Sequence, residues 1–230
     1  MNKESWLAVG AHSDDVEIGM SGTIAIHTAN GGKVSICDLT RAELSSNGTV
    51  ELRKEEAGHA AEVIGVSERL NLELPDRGLL MKEEYILAIV SLIRRKKPDC
   101  LFIPYWEDRH PDHGNCSRLA EEAAFSAGVR NIIDPDNLPP HRVKKIYYYF
   151  INGFHKPQIL VDVSSVYEKK KAALQCYKSQ FIKQDDSFDT PLVNGYIESV
   201  SAREKMFGQE AGVDYAEGFM MKKPLLLKKL

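Results

Sequence analysis

A chain of 230 residues with a hydrophobic fraction of 43% can bury a sizeable core without disulfide staples. Its formal net charge of −3 argues against a general nucleic-acid binder, which carries a basic surface. No apolar N-terminal segment resembles a signal peptide and no run is long enough to cross a membrane. The expected setting is therefore cytoplasmic, with Cys37, Cys100, Cys116 and Cys176 as reduced thiols.

The chain opens with an apolar run over residues 6–10 that reads as a buried strand. A helical pattern from Ile18 to Ala29 follows and closes at Gly31-Gly32. Residues 33–38 form a second strand, and Ser45-Ser46-Asn47-Gly48 supplies turn chemistry after it. Thr49 is placed to cap the next helix, which ends before Gly65. Residues 69–72 read as a third strand and Lys82 to Lys97 as a helix, with Tyr85, Ile86, Ile89, Val90 and Ile93 on one face. A fourth strand at residues 100–103 runs into a polar cluster, and Gly114 to Ala127 is helical.

Strands alternating with helices predict parallel pairing with helices on both faces, an α/β, Rossmann-like three-layer sandwich. Beyond residue 128 the pattern changes. Strands are expected at 145–151 and 158–162 and helices at 166–178 and 197–207. The expected organisation is one domain over 1–230, with an α/β core at 1–128 and a C-terminal extension at 129–230. Two basic runs, Arg94-Arg95-Lys96-Lys97 and Lys169-Lys170-Lys171, read as the solvated end and face of helices.

Two segments carry chemistry. Ala11-His-Ser-Asp-Asp-Val-Glu17 follows the first strand, and His110-Pro-Asp-His113 follows the fourth. In a parallel sheet both loops gather at the edge where ligands bind. His12 and Asp15 are separated by two residues, as are His110 and His113. Two histidines and a carboxylate suit a zinc ion that keeps a position open for water. A neighbouring carboxylate outside the ligand set would then serve as general base, and Asp14 takes that role if Asp15 is a ligand. Each motif alone is weak. Glu17 has no assigned part, and His27, His59, His141 and His155 read as structural or exposed.

These residues resemble the paired motifs of the zinc-dependent de-N-acetylases of the LmbE/PIG-L type. Within that type they are similar to the branch acting on N-acetylglucosaminyl malate in bacillithiol biosynthesis. The resemblance extends to Asp38-Leu-Thr40, Pro75-Asp-Arg-Gly78, Asn152-Gly-Phe-His-Lys-Pro157, Ala202-Arg-Glu-Lys-Met-Phe-Gly208 and Tyr215-Ala-Glu-Gly-Phe219. It implies Zn2+ held by His12, Asp15 and His113, with Asp14 as base. It implies His110 as the group that protonates the leaving amine or stabilises the oxyanion, with Asp112 holding its imidazole.

The resemblance further points to Arg53 and Asp76 as sugar contacts, and to Arg142 and Tyr196 near the acetyl group or its products. Arg142 could pair with a malate carboxylate, whereas Arg53 could instead be a helix-surface cation. The implied substrate is a small N-acetylated sugar conjugate, and the implied assembly is a homo-oligomer. Two departures stand out. Ser13 replaces a proline common in relatives, and Asp108 occupies a position where some relatives carry tyrosine. Two other readings stay open, a deacetylase of chitin-derived sugars and a non-catalytic sugar- or nucleotide-binding protein. The first loop lacks the G-x-G-x-x-G run of a dinucleotide site.

Overall fold

In the computed structural model, which describes residues 4–185, 187–224 and 226, the alternating apolar and amphipathic runs become one mixed sheet. β1 (Ser5–Gly10), β2 (Lys33–Thr40), β3 (Glu68–Leu74), β4 (Cys100–Pro104) and β5 (Lys145–Tyr149) pair in parallel. β6 (Ile159–Asp162) and β7 (Ala216–Met220) complete the sheet antiparallel, in the order β3-β2-β1-β4-β5-β7-β6.

The helices are α1 (Asp15–Ala29), α2 (Val50–Val63), α3 (Glu83–Lys96), α4 (Pro111–Ala127), α5 (Tyr167–Cys176), α6 (Lys178–Phe181) and α7 (Tyr196–Ala211). Successive strand residues point to opposite faces. Leu7 and Val9 therefore pack with Ile89 and Ile93 of α3 and Leu119 of α4. Ala8 packs the other way, with Ile24 of α1, Ala60 of α2 and Leu174 of α5. The three layers expected from the alternation are present, and three strands from beyond residue 128 extend the same sheet. Among the described residues no helix is long and apolar enough to cross a membrane. All four cysteines are free thiols.

Several local expectations are met or corrected. Thr49 caps α2, its hydroxyl accepting the Leu52 N–H at 3.2 Å. α4 begins at Pro111 rather than Gly114, because His110 caps it and proline suits the first turn of a helix. α1 likewise begins at Asp15, three residues before the apolar pattern starts. β7 was not expected, because its Glu217 and Gly218 break strand patterning.

The basic runs are not simply solvated. Arg94 is 1% exposed and bonds Asp134 at 2.7 Å and the carbonyls of Ala127, Val129, Ile132 and Leu138. It ties the C-terminal end of α4 and the loop after it to α3. Lys170 is 0% exposed and bonds Glu204 and Glu217, each at 2.6 Å.

Candidate active site

β1 and β4 are neighbours in the sheet, while β2 lies on the other side of β1, so the strand order changes direction there. Loops leaving the carboxyl ends of β1 and β4 frame the crevice where such sheets bind ligands. That crevice brings the two motifs together. Gly10 ends β1 where a Cβ would lie 3.0 Å from His12 O and 3.1 Å from Asp15 Cβ. Its missing side chain lets the loop fold back on itself. Thr40, at the end of β2, donates its N–H and hydroxyl to Ala11 O at 3.0 and 2.9 Å. Asp15 Oδ2 accepts the N–H groups of Ala11 and His12 at 2.8 and 2.9 Å, which closes the turn. Between them Asp14 sits at φ 132°, a backbone conformation that costs energy for any residue but glycine.

The donor set fits a divalent cation. Asp15 Oδ1 lies 3.1 Å from His113 Nε2 and Oδ2 lies 3.6 Å from His12 Nδ1, so two imidazoles face one carboxylate. The ring nitrogens of His12, His110 and His113 lie within 4.8 Å of one another, and His12 forms a similar group with Asp76 and Asp112. Burial pulls the His113 imidazole down, yet Asp15 and Asp108 lift it to about 9. Burial opposes protonation of His12 as well, but Asp112, Asp15 and Asp76 raise it well above the usual imidazole value. The carboxylates thus call for positive charge at this point, and a divalent cation would supply it with both rings neutral.

Asp14 lies beside this cluster and is almost wholly buried. Burial pushes its carboxyl up to about 7, against the pull of the Arg53 guanidinium 3.3 Å away. Arg53 is not a surface cation. It is 3% exposed, donates to the Ser13 carbonyl and to Ser45 Oγ, and lies over the Tyr177 ring. Glu17 is buried against Arg69, which also holds Asp38 through two bonds at 2.8 and 2.9 Å. That network underpins the first turn of α1.

The second motif departs from expectation. Asp112 does not hold the His110 imidazole through its carboxylate. That carboxylate accepts the Arg77 N–H at 2.7 Å and lies 3.7 Å from His12 Nε2, while the Asp112 backbone N–H donates to His110 Nδ1 at 3.3 Å. Burial, then His113 and His12, lowers His110 to about 4, so the ring is neutral rather than protonated. With Nδ1 accepting a bond, the proton of the neutral ring is on Nε2.

Asp108 contributes something that the sequence reading missed. Its Oδ1 is 3.0 Å from His113 Nδ1 and accepts the His110 N–H at 2.8 Å, while Asn152 donates to its carboxylate twice, at 2.9 and 3.0 Å. Asp108 therefore turns His113 so that Nε2 faces Asp15. Its spacing from both histidines was the available signal.

A cavity of about 230 Å³ opens over these groups, and Asp14, Asp76, Arg77, Arg109, His110 and Tyr196 are among its lining residues. Asp76 faces His12 Nε2 at 3.3 Å and accepts the Leu44 N–H at 3.0 Å. The Tyr196 hydroxyl donates to Ile151 O or Asn152 Oδ1, at 3.1 and 3.0 Å. The structure does not bring Arg142 to this cavity. It packs beside Gly128, at the far end of α4 from His113. Arg77 and Arg109, which the sequence reading did not single out, stand exposed in the cavity lining instead.

Residues 7–124 match the family described as PIG-L: GlcNAc-PI de-N-acetylase. The chain is 32% identical to the diacetylchitobiose deacetylase of Thermococcus kodakarensis, over 92% of this chain and 80% of that protein. It is similar to the solved conserved protein TT1542 from Thermus thermophilus, with a TM-score of 0.89, 37% identity and 97% of each chain covered. It is also similar to the N,N'-diacetylchitobiose deacetylase from Pyrococcus horikoshii, solved with its inhibitor MPG. There the TM-score is 0.84 and the identity 25%, over 96% of this chain and 84% of that one. The matched stretch contains both halves of the histidine–carboxylate cluster, and the chain belongs to the PIG-L family of de-N-acetylases.

Proposed function

We propose that this chain is a zinc-dependent hydrolase that removes the acetyl group from an N-acetylglucosamine conjugate, acting as one domain over residues 1–230. The observation that carries this reading is the buried Asp14 carboxylate set beside the His12–Asp15–His113 cluster, in a cavity wide enough for a sugar. Zn2+ held by His12, Asp15 and His113 would supply Lewis acidity, making the amide carbonyl more electrophilic and a water more acidic.

Asp14 takes the proton of the attacking water, and Arg53 holds its carboxylate in place. The His110 Nε2–H is a neutral donor for the developing oxyanion, which favours that role over proton delivery. Asp14 then returns its proton to the amine nitrogen as the C–N bond breaks. Asp76 and Tyr196 contact the sugar and its acetyl group from the cavity wall. Acetate release from N-acetylglucosaminyl malate and from diacetylchitobiose, with and without chelator, tests this reading. Chelator-insensitive turnover, or no acetate from either sugar, overturns it.

Two of the relatives named above are diacetylchitobiose deacetylases, and none of the three is described as acting on a malate conjugate. A specific observation favours an acidic aglycone. Arg109 has no ion-pair partner among the described residues, and Arg77 reaches Asp112 only at 3.8 Å. Two open guanidinium groups suit a carboxylate-bearing aglycone such as malate, whereas a second neutral sugar gives them nothing to pair with. Arg109→Ala is expected to lower kcat/KM for N-acetylglucosaminyl malate about tenfold and to leave diacetylchitobiose within about twofold, since a charge-assisted hydrogen bond contributes ~1.5 kcal/mol. Equal losses on both substrates would remove the case for malate.

Asp108 gives a further expectation. Removing the partner of a ligand imidazole typically weakens metal binding by about 10–100-fold. Asp108→Ala should therefore lose zinc to a competing chelator at correspondingly lower concentration, while its thermal transition stays cooperative. Self-association belongs to the same proposal. Phe125 and Ile133, 75% and 73% exposed, are apolar side chains that a second copy could cover, and light scattering tests this.

A further inference from the structure

A second cavity, of about 450 Å³, shares Arg53 with the one over the histidines, and its wall comes from β2, α2 and β3. Four cations line it, Arg41, Arg53, Lys54 and Arg69, against two carboxylates, Asp38 and Glu73. Asp38 is neutralised internally by its two bonds to Arg69, which also carries Glu17. Arg41 and Lys54 are exposed and have no ion-pair partner among the described residues. With Arg69 taken up by Asp38 and Glu17 and Arg53 paired with Asp14, the open positive charge of the cavity is that of Arg41 and Lys54, and Glu73 is the exposed carboxylate beside them.

Arg53 supplies an independent sign. Its Nη atoms serve Ser13, Ser45 and Asp14, but its Nε, in a side chain 3% exposed, has no acceptor. A buried guanidinium N–H without a partner is costly and marks a place where an acceptor belongs.

We propose that this cavity is an accessory anion site for the phosphate group of a small molecule, held by Arg41 and Lys54 at the exposed side, with the Arg53 side chain in the inner wall. A phosphate near neutral pH carries almost two charges and three strong acceptor oxygens. Its tetrahedral oxygens can meet donors that converge out of one plane and carry more charge than a carboxylate, whose lone pairs lie close to a single plane. The site is distinct from the substrate cavity, where Arg77 and Arg109 stand, and Arg53 is the one side chain through which the two communicate.

The test is titration calorimetry of the zinc-loaded enzyme with inorganic phosphate and with succinate at constant ionic strength. Phosphate is expected to bind, and the Arg41→Ala, Lys54→Ala double variant to weaken that binding tenfold or more. Arg109→Ala is expected to leave it unchanged, and Glu73→Gln, which removes the opposing charge, to tighten it. Arg41 and Lys54 are exposed, so the double variant should keep the parent melting transition. Absent binding, or phosphate affinity unchanged in the double variant, overturns the proposal. Succinate binding as tightly as phosphate, and lost in the same variant, overturns the choice of phosphate and makes the cavity a carboxylate site.

Discussion

Asp14→Ala is expected to lower kcat by about 10²–10⁴-fold, the usual contribution of a positioned general base, while, on the zinc-dependent mechanism proposed above, the metal stays bound. The separation of the two readouts follows from the geometry. Asp15, not Asp14, faces His113 Nε2 and His12 Nδ1, whereas Asp14 is turned towards Arg53. Metal content measured beside turnover therefore distinguishes the roles. Normal turnover would sink the mechanism, and loss of zinc together with activity would make Asp14 a ligand.

A second variant ties the same residue to pH. The guanidinium of Arg53 lowers the Asp14 carboxyl against the effect of burial, which raises it. Arg53→Gln removes that pull, so the carboxyl protonates at higher pH than in the parent. A base works only when ionised, so the acid limb of the kcat profile should move to higher pH. A limb that stays in place, or moves the other way, would show that Asp14 is not the group it reports.

Both halves of the candidate site were legible in the sequence because each lies within a few residues of the end of a strand. Local spacing therefore carries most of their geometry. The strand alternation also implied that the ends of β1 and β4 share one edge, and the register between Trp6 and Cys100 places them there. What spacing could not decide is the direction a side chain takes once the loops meet. Asp112 is one residue from His113 and two from His110, yet its carboxylate turns to His12 and to the N–H of Arg77, 35 residues away. Glu17 was unexplained in the sequence because its partner, Arg69, is 52 residues distant.

The buried cations were misread for a related reason. Arg94 and Lys170 each sit within a run of basic residues, and such runs usually mark a solvated helix surface. Their neighbours obey that rule, since Arg95 and Lys169 are exposed. Burial of one member depends on acceptors that arrive from elsewhere in the chain, Asp134 for Arg94 and Glu204 and Glu217 for Lys170. β7 escaped notice on the same account. Its Glu217 makes the segment look unlike a buried strand until the lysine that neutralises it is in place.

That lysine gives the largest expected effect on stability. Lys170 Nζ, wholly buried, bonds Glu204 Oε1, Glu217 Oε1 and the Ile18 carbonyl at 2.6, 2.6 and 2.9 Å. Glu217 in turn accepts the N–H groups of Gly22 and Thr23 at 2.9 and 2.7 Å, just past the non-helical break at Met20 in α1. One side chain thus joins α5, α7 and β7 to the helix that Asp14 precedes and Asp15 begins.

Lys170→Met keeps the apolar stem and removes the charge, leaving two buried carboxylates face to face. Breaking a buried ion pair from one side costs about 3–5 kcal/mol, and urea unfolding near neutral pH should show a loss of that size. The loss should also depend on pH. Burial already holds the Glu204 carboxyl above its ordinary value, and Lys170 pulls it down. Without the lysine the folded-state value rises further above the unfolded one, so the folded state binds its proton more tightly. Stability of the variant must then rise as pH falls towards the folded-state value, and the deficit should shrink between pH ~8 and ~5. Adding Glu204→Gln should recover part of the loss near neutral pH, because it removes one of the two uncompensated charges. A deficit under about 1 kcal/mol with no pH dependence, the size expected of an exposed pair, would mean that Lys170 is solvated and the triad does not hold β7 to α1.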